Sequence, residues 1–297
     1  MKETNIARAV LWMCGTLLSF SVMALSIRAL ARTLGAFEIL CARNALGLLI
    51  FLLILLLRPR LRHELRLREY RLHLLRNVVS FVAQVGWVYS LTVLPLATVT
   101  ALEFTAPAWA AVLAVLMLGE RLSPPRAITV VMGIIGVLII VRPGAVPLHP
   151  GALVMVLVAM GFALSYIFTK KLTATESTFA ILFWMNVIQL PLGVTGIHFD
   201  FPARIETWQI LPLIGVAITG ITAHMCLTNA FRAGDAQVVV PLDFLRLPLI
   251  ALLGWMLYSE RVDSLLFVGA GFIIAGIVLN IRAEARRVPP DITLPPA

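Results

Sequence analysis

The sequence has few charged residues. Only 13% of its 297 residues are Asp, Glu, Lys or Arg, whereas 60% are hydrophobic, and the mean hydropathy is +0.97. Soluble domains contain about 25% charged residues, so the composition excludes an ordinary soluble domain. The net charge of +9 does not indicate nucleic-acid binding, because the arginines lie in short links between apolar runs without interleaved aromatic residues. We therefore expect an integral membrane protein with no nucleic-acid partner.

Cysteine and histidine are also scarce. The three cysteines lie singly in apolar runs and lack the CxxC spacing of a metal or redox site. The five histidines form no HxxH or HExxH cluster. An intramembrane enzyme would need a metal cluster, an Asp-rich phosphate site or a Ser/His pair at fixed spacing, and the sequence has none of these. It therefore predicts a protein that is not an enzyme and that binds neither a metal nor a cofactor.

Long apolar runs make up most of the chain. A hydrocarbon core of about 30 Å needs about 20 apolar residues per helix, and ten runs meet this requirement. The links between them are short, so we predict an all-α integral membrane protein with ten transmembrane helices. The Pro-rich tail 284–297 is predicted to be disordered. The ten predicted spans are residues 6–30, 36–57, 75–94, 97–118, 124–142, 150–170, 179–198, 209–230, 236–258 and 264–282.

The distribution of Lys and Arg orients these helices. With the N-terminus in the cytoplasm, the inner links and tails hold 17 Lys and Arg residues, and the outer links hold five. Positive residues concentrate on the cytoplasmic side of membrane proteins, so both termini are predicted to be cytoplasmic. Arg76 is counted here with the charged inner link that begins at Arg58.

The two halves of the chain resemble each other at an offset of 140 residues. The segment "GERLS" at 119–123 follows the fourth run, and "SERVD" at 259–263 follows the ninth. Each half has five predicted helices, and an odd number places the second half upside down relative to the first. Transporters built from inverted repeats bind their substrates near the midplane, where the repeats meet. We predict one five-helix unit at 1–147 and a second at 148–283.

Two stretches carry a resemblance to a known family. The segment "LEFTAPAWAAVLAVLMLGERLSPPRAITVVMGIIGVLIIVRPG", which begins at Leu102, resembles the first EamA-type repeat of the drug/metabolite transporter superfamily. The segment "YSERVDSLLFVGAGFIIAGIVLN" is similar to the end of the second repeat. The resemblance covers residues 5–283, and the length is similar to that of bacterial amino-acid and metabolite exporters. It implies a multi-pass carrier in a bacterial inner membrane with cytoplasmic termini.

Charged residues and prolines interrupt two runs at positions related by the repeat. Glu103 of the fourth run corresponds to Asp243 of the ninth, and Arg246 lies one helical turn after Asp243. A charge near the bilayer centre costs about 3 kcal/mol and by default marks a functional site, so we predict that these three residues contact substrate. Prolines free backbone carbonyls, which are tolerated only against protein or water. The predicted kinks are at Pro107, Pro241 and Pro248.

Polar and aromatic residues of other runs are further candidates for substrate contact. Gln84 corresponds to His224 at the same offset of 140 residues. Tyr89 corresponds in the same way to Asn229. For the polar candidates, hydrogen bonding between packed helices is an alternative role, and for Trp109 the alternative is an anchor at the membrane interface. The complete further set is Gln84, Tyr89, Thr100, Trp109, Tyr166, His224 and Asn229.

The charges within the runs admit two interpretations. The two acids could pair with Arg246 or Arg43 and only fasten helices together. Alternatively, a substrate ammonium group meets Glu103 or Asp243, while its carboxylate meets Arg246 or a freed backbone N–H. Two acids and two arginines balance, which favours a small zwitterion. An organic-anion carrier would need an excess of buried cations, and this count gives none.

We therefore expect an exporter of small metabolites, amino acids above all, including aromatic and apolar ones. It would work by alternating access at a central cavity between the halves. Exporters of other metabolites or of cationic drugs, a nucleotide-sugar or organic-anion carrier, and a channel are the alternatives. The expected partners are a small-molecule substrate and the lipid bilayer. Protons are a further candidate, with Glu103, Asp243 and His224 as their possible carriers.

Overall fold

A computed structural model describes residues 6–118, 124–142, 149–172, 175–198, 200–233, 242–261 and 263–285. Within these ranges the regular structure is helical, and no β-strand is present. Two short 3₁₀ helices, Pro59–Glu64 and Phe201–Arg204, lie in links. The α-helices are α1 (Ile6–Leu30), α2 (Ala36–Leu57), α3 (Tyr70–Val93), α4 (Leu96–Glu103), α5 (Ala106–Leu118), α6 (Pro124–Val141), α7 (Pro150–Leu172), α8 (Thr178–Val194), α9 (Thr207–Ala233), α10 (Arg246–Tyr258) and α11 (Ser264–Ala285).

These helices confirm the predicted all-α membrane fold. Helices α4 and α5 together occupy the fourth predicted span, and α10 occupies the described part of the ninth. Helix α3 begins five residues before the predicted boundary at 75, because its first turns are polar and do not stand out as an apolar run. The segment 119–123, the boundary between the predicted units, Pro241 and the tail from residue 286 lie outside the described residues.

The outer faces of the helices are suited to lipid. Helices α1, α2, α7, α9 and α11 each contain a stretch long and apolar enough to cross a bilayer. Leucines on these faces, such as Leu11 at 71% and Leu211 at 77%, leave most of their surface exposed. Helix α3 differs, because its polar residues Asn77, Ser80 and Gln84 point into the protein. The bundle therefore turns apolar side chains outward and polar side chains inward.

The helices pack in pairs, and the repeat relates one pair to another. Helix α1 packs along α9, and α3 packs along α7. These two pairs are equivalent, because α1 of the first half corresponds to α7 of the second and α3 corresponds to α9. Helices α2 and α8, and helices α6 and α11, each cross their own counterparts, and α10 of the ninth span packs against α4 of the fourth. Contacts of this reciprocal kind are typical of two units that pack around each other and are related by an axis in the membrane plane.

The fourth and ninth spans are broken at equivalent positions. Helix α4 ends at Glu103, and the turn Phe104–Thr105 separates it from α5. In the second half the turn Phe244–Leu245 precedes α10. The rings of Phe104 and Phe244 pack edge to face with centroids 5.2 Å apart. The two breaks therefore meet in space as well as in the sequence alignment of the halves.

Prolines explain where the second half-helices begin. Pro107 is the second residue of α5, and Pro248 is the third residue of α10. A proline in the first turn of a helix sacrifices no intrahelical hydrogen bond, because the N–H groups of that turn have no partner within the helix. Both prolines lie on exposed faces, so they shape the breaks and do not line the interior.

Helices α6 and α11 cross at two glycines. A Cβ atom on Gly136 would lie 2.5 Å from the carbonyl oxygen of Gly269, and a Cβ atom on Gly269 would lie 2.6 Å from the carbonyl oxygen of Gly136. Backbone atoms cannot move aside as a side chain can. The crossing therefore requires a residue without a side chain at both positions, as in other close helix contacts in membranes.

We expect Gly269→Ala to destabilise the protein by about 1–3 kcal/mol, because the added methyl group overpacks the crossing. The measurement is the thermal unfolding midpoint of the purified protein in detergent. Gly271→Ala is the matched control on the same helix, since a Cβ atom there meets nothing within 4 Å. Equal midpoints for the two variants would contradict the proposed tight crossing.

Candidate substrate-binding site

A cavity of about 90 Å³ lies between the two halves. Residues of α1 to α4 and of α7 to α9 line it. One ordered water needs about 10–15 Å³ of cavity volume, whereas ligand pockets commonly have volumes of about 300–1,000 Å³. The cavity therefore has room for several waters, and it must widen to admit a metabolite.

The structure brings four of the predicted contacts together at this cavity. Gln84 lies on α3, Glu103 at the end of α4, Tyr166 on α7 and His224 on α9. The ring of His224 packs edge to face against that of Phe20 at 6.0 Å. Two of these residues come from each half, so the cavity joins both repeats.

Glu103 is held by two neighbours. Its Oε1 accepts a hydrogen bond of 3.1 Å from the Arg246 guanidinium, and its Oε2 accepts one of 3.0 Å from the Trp87 indole N–H. Asp243 lies 3.6 Å from the same arginine. Arg246 also stacks over the ring of Phe104, with its Cζ 5.0 Å from the centroid. A single arginine thus bridges the equivalent acids of both broken spans.

This arrangement corrects the role expected for Arg246. Neither Arg246 nor Asp243 is among the residues that line the cavity. Arg246 is already occupied by two carboxylates, so it is not the group that would receive a substrate carboxylate. The fastening role considered for the pair Asp243 and Arg246 fits their position, whereas Glu103 both fastens helices and faces the cavity.

Two other arginines line the cavity. Arg43 of α2 donates to the side-chain oxygens of Asn44 and Gln189 at 3.1 and 3.0 Å. Arg76 of α3 is only 6% exposed and donates to Asn77 Oδ1 at 2.8 Å. Among the described residues, neither arginine forms a salt bridge with an acid.

The expected balance of two acids and two arginines is therefore wrong. The interior around the cavity contains Arg43, Arg76 and Arg246 against Glu103 and Asp243. Arg76 is counted with the charged inner link, although it is the second residue of the predicted span 75–94. Its spacing to Ser80 and Gln84 repeats every four residues, which places all three on one helical face, and this signal could have identified it.

Two predicted contacts lie on the wrong side of their helices. Tyr89 is 41% exposed on the outer surface of α3. It follows Gln84 by five residues, which turns it about 140° around the helix from the cavity-facing side. Asn229 follows His224 by the same interval, and it lines a different cavity between α2, α8 and α9. The pairing of these residues by the repeat did not show which way their side chains point.

Two further predicted contacts also lie away from the central cavity. Trp109 lies beyond the helix break in an apolar crevice against Val130 and Ile134 of α6. Thr100 is buried, and its hydroxyl donates to the carbonyl of Leu96 one turn earlier at 3.0 Å. Packing between helices accounts for both positions.

An apolar plug separates the central cavity from a second one. The plug consists of Phe51 of α2, Leu182 and Met185 of α8, and Ile221 of α9, which form one buried cluster. Beyond it lies a vestibule of about 570 Å³ between the ends of the same three helices, near Arg58. Ile221 lines both cavities. The partition between them is therefore about one side chain thick.

The opposite ends of α2 and α8 are close together. A Cβ atom on Gly193 would lie 3.0 Å from the Cα atom of Cys41. Glu38 at the start of α2 accepts a bond of 2.6 Å from Arg204. The two helices thus touch at this end, whereas the vestibule lies between their opposite ends, so the central cavity lies nearer to an opening on the vestibule side.

Contacts between α1, α4 and α10 seal the same closed end. Arg28 pairs with Glu260 at 2.7 Å, and it also donates to the Leu94 carbonyl at 2.7 Å. The other oxygen of Glu260 accepts the N–H of Leu96 at the start of α4 at 2.8 Å. The "SERVD" segment therefore has a structural role: its glutamate ties the end of α10 to the beginning of the other broken span.

Solved and curated proteins are similar to this chain. A crystal structure of 16% identity superimposes with a TM-score of 0.63 over 95% of this chain and 99% of that one, which shows the fold alone. A riboflavin transporter of Rhizobium johnstonii is 32% identical over 72% of this chain and 71% of its own length. An S-adenosylmethionine uptake transporter of Rickettsia conorii is 29% identical over 72% of each. The pseudopaline exporter CntI of Pseudomonas aeruginosa is 28% identical over 90% and 93%.

The profile described as "EamA-like transporter family" matches the chain twice. The matches span residues 7–142 and 149–282 and together cover nearly all of the described helices. The two matched segments are the two halves whose reciprocal packing encloses the central cavity. This chain therefore belongs to the EamA-like transporter family, a family within the drug/metabolite transporter superfamily, and contains two copies of its repeat.

Proposed function

We propose that the protein carries small organic metabolites across the bacterial inner membrane by alternating access, with the central cavity as its substrate site. The observation that carries this proposal is the charged cavity enclosed by residues of both repeats. Charges at membrane depth are expensive unless they serve a pathway or a site. The similar proteins include both uptake transporters and an exporter, so the substrate and the direction need their own arguments.

Amino acids are the substrate class that we propose first. The carboxylate of Glu103 at the cavity wall offers an acceptor for a substrate ammonium group. The rings of Trp87 and Phe162, which also line the cavity, offer an apolar surface for a side chain. S-adenosylmethionine, the substrate named for one relative, itself contains an α-amino acid group, which supports recognition of such a group in this fold.

A carrier of other organic anions is the second candidate. The surplus of buried arginine over acid around the cavity favours it, since guanidinium groups are common ligands for carboxylates and phosphates. The same surplus disfavours an exporter of cationic drugs, because a substrate cation would meet Arg43 and Arg76 without matching acids.

Alternating access follows from the unequal ends of the bundle. The plug closes one side of the cavity with a single apolar layer, whereas the other side is held by the pairs Arg28–Glu260 and Glu38–Arg204. Passage to the far side requires these pairs to separate while the vestibule between the other ends of α2 and α8 closes. Packed interfaces of this kind switch between discrete arrangements and do not deform continuously.

We further propose that the vestibule opens to the cytoplasm and that the chain works as an exporter. The vestibule lies next to Arg58, at the beginning of the positively charged link that the charge distribution assigns to the cytoplasmic side. Substrate would enter from the vestibule, pass the plug and leave on the opposite face. Both termini would then be cytoplasmic.

We expect Glu103→Gln to lower amino-acid transport at least tenfold, because the variant removes the charge that receives the ammonium group. Arg246 keeps Asp243 as a partner, so the thermal midpoint should change little. Uptake of labelled amino acids into proteoliposomes is the measurement. Glu69→Gln, whose side chain is exposed at the start of α3, is the control. Transport of another metabolite but of no amino acid would refute the substrate class.

Ile221→Trp should slow transport at least tenfold, because the larger ring cannot leave the plug as readily. Ile218→Trp lies one turn earlier on the same helix with 46% of its side chain exposed, and it should transport normally. Initial rates in proteoliposomes test both variants. Equal rates would remove Ile221 from the pathway.

The orientation predicts opposite labelling at two links. In a variant with Cys14, Cys41 and Cys226 replaced by serine, Asp200→Cys should react with a membrane-impermeant maleimide in intact cells. Arg66→Cys should react only after lysis, because its link would face the cytoplasm. The reverse pattern would place the termini outside.

A further inference from the structure

We infer that Arg43 and Arg76 form a carboxylate-binding subsite in the central cavity. The substrate is accordingly a small organic acid with an apolar or aromatic body, a class that includes free amino acids. This inference rests on the proposed function of the cavity. The anchor of the substrate is then the pair Arg43 and Arg76 and not Arg246, which already binds both acids.

The two guanidinium groups are joined by a short chain of buried amides. Arg43 Nη2 donates to Gln189 Oε1 at 3.0 Å, and Gln189 Nε2 donates to Asn77 Oδ1 at 3.3 Å. Asn77 Oδ1 also accepts a bond of 2.8 Å from Arg76 Nη1. Gln189 and Asn77 are fully buried. The amides thus fix the positions of both cations without neutralising either of them.

Each arginine retains nitrogen atoms for a ligand. Within the described part of the chain, Arg43 uses only Nη2 for hydrogen bonds, and Arg76 uses Nε and Nη1. Both side chains line the cavity. A planar guanidinium group presents its N–H donors in a fork that matches the two oxygens of a carboxylate, so the remaining donors suit such a ligand.

The charge of the cavity wall favours a ligand that carries a carboxylate. Of the charged side chains that line the cavity, Arg43 and Arg76 outnumber Glu103, which leaves a surplus of one positive charge. An unpaired charge in a low-dielectric interior is unfavourable, and a carboxylate at Arg43 and Arg76 offsets it. A phosphate dianion would overcompensate the surplus, and an ammonium group alone would increase it.

The side-chain oxygen of Gln84 at the cavity wall is available to a ligand. Gln84 lines the cavity and is 9% exposed, and its Oε1 forms no hydrogen bond with the described residues. Its Nε2 donates to Ser80 and, at 3.4 Å, to Gln189. A free acceptor beside the two arginines can receive an N–H or O–H donor of the same ligand, as an α-amino or α-hydroxy acid provides.

Aromatic residues define the rest of the ligand. Phe20, Trp87, Phe162 and Tyr166 line the same cavity. The rings of Phe162 and Tyr166 stack with centroids 6.5 Å apart. An apolar or aromatic body attached to the carboxylate would be desolvated against these surfaces, whereas a second charged group at that position would find no counterion.

Four related probes separate the contributions of carboxylate and amine. They are L-phenylalanine, 3-phenylpropanoate, L-phenylalaninamide and 2-phenylethylamine, each titrated against the purified full-length protein in detergent by calorimetry. We expect the two carboxylates to bind and the two compounds without a carboxylate to bind at least tenfold more weakly. Equal affinities for acid and amide, or no binding of any probe, would overturn the inference.

Substitutions assign the anchor to the two arginines. Arg43→Gln and Arg76→Gln should each weaken binding of 3-phenylpropanoate at least tenfold. Arg71→Gln is the matched control, because Arg71 is exposed on the same helix as Arg76 and contacts Tyr70. Arg76→Lys keeps the positive charge but lacks the forked N–H donors of a guanidinium group. It is the conservative variant to use if Arg76→Gln disturbs folding. Unchanged affinity in the variants at Arg43 and Arg76 would refute the subsite.

Transport distinguishes this inference from the proposed function. If proteoliposomes carry 3-phenylpropanoate but no amino acid, the subsite stands and the amino-acid assignment fails. If amino acids are carried equally by the parent protein and both arginine variants, and phenylalaninamide competes as well as phenylalanine, the subsite fails and the assignment stands.

Discussion

The bilayer offers no partner to a charge, and the interior of this protein is organised by that constraint. Every ionised side chain at membrane depth needs a counterion, a set of hydrogen bonds or access to water. Glu103 and Asp243 satisfy the requirement by sharing Arg246. Arg43 and Arg76 satisfy it with amides and with the cavity. The two arrangements meet at the central cavity, which Glu103, Arg43 and Arg76 all line.

The broken spans connect this chemistry to the fold. Because α4 ends at Glu103 and α10 begins at Arg246, the shared ion pair forms where two helix termini meet. The same breaks bring Phe104 against Phe244. Prolines that follow each break make it compatible with a helix on its far side. The repeat thus places one helix break in each half, and the charged cluster of Glu103, Asp243 and Arg246 forms where the two breaks meet.

The sequence was sufficient for the fold and only partly sufficient for the site. Apolar runs of about 20 residues located the helices, since the bilayer imposes their length. Glu103 was identified because a carboxylate in such a run is conspicuous. Arg76 was not, because it lies at the edge of its predicted span beside a charged link, whereas the observed start of α3 at Tyr70 puts it in the second turn of the helix. Tyr89 shows the reverse error. The repeat relates positions along the sequence, whereas the direction of a side chain depends on the position of its residue around the helix.

The thin partition at Ile221 has an electrical consequence. Water in a wide vestibule stays at the potential of the compartment it opens to, so the transmembrane voltage falls mainly across the sealed remainder of the bundle. Moving one elementary charge through that remainder changes its energy by about 2.3 kcal/mol per 100 mV. Entry past the plug crosses little of the field, and the later passage crosses most of it. For a substrate with a net charge, the voltage therefore acts mainly on the step that carries it beyond the midplane.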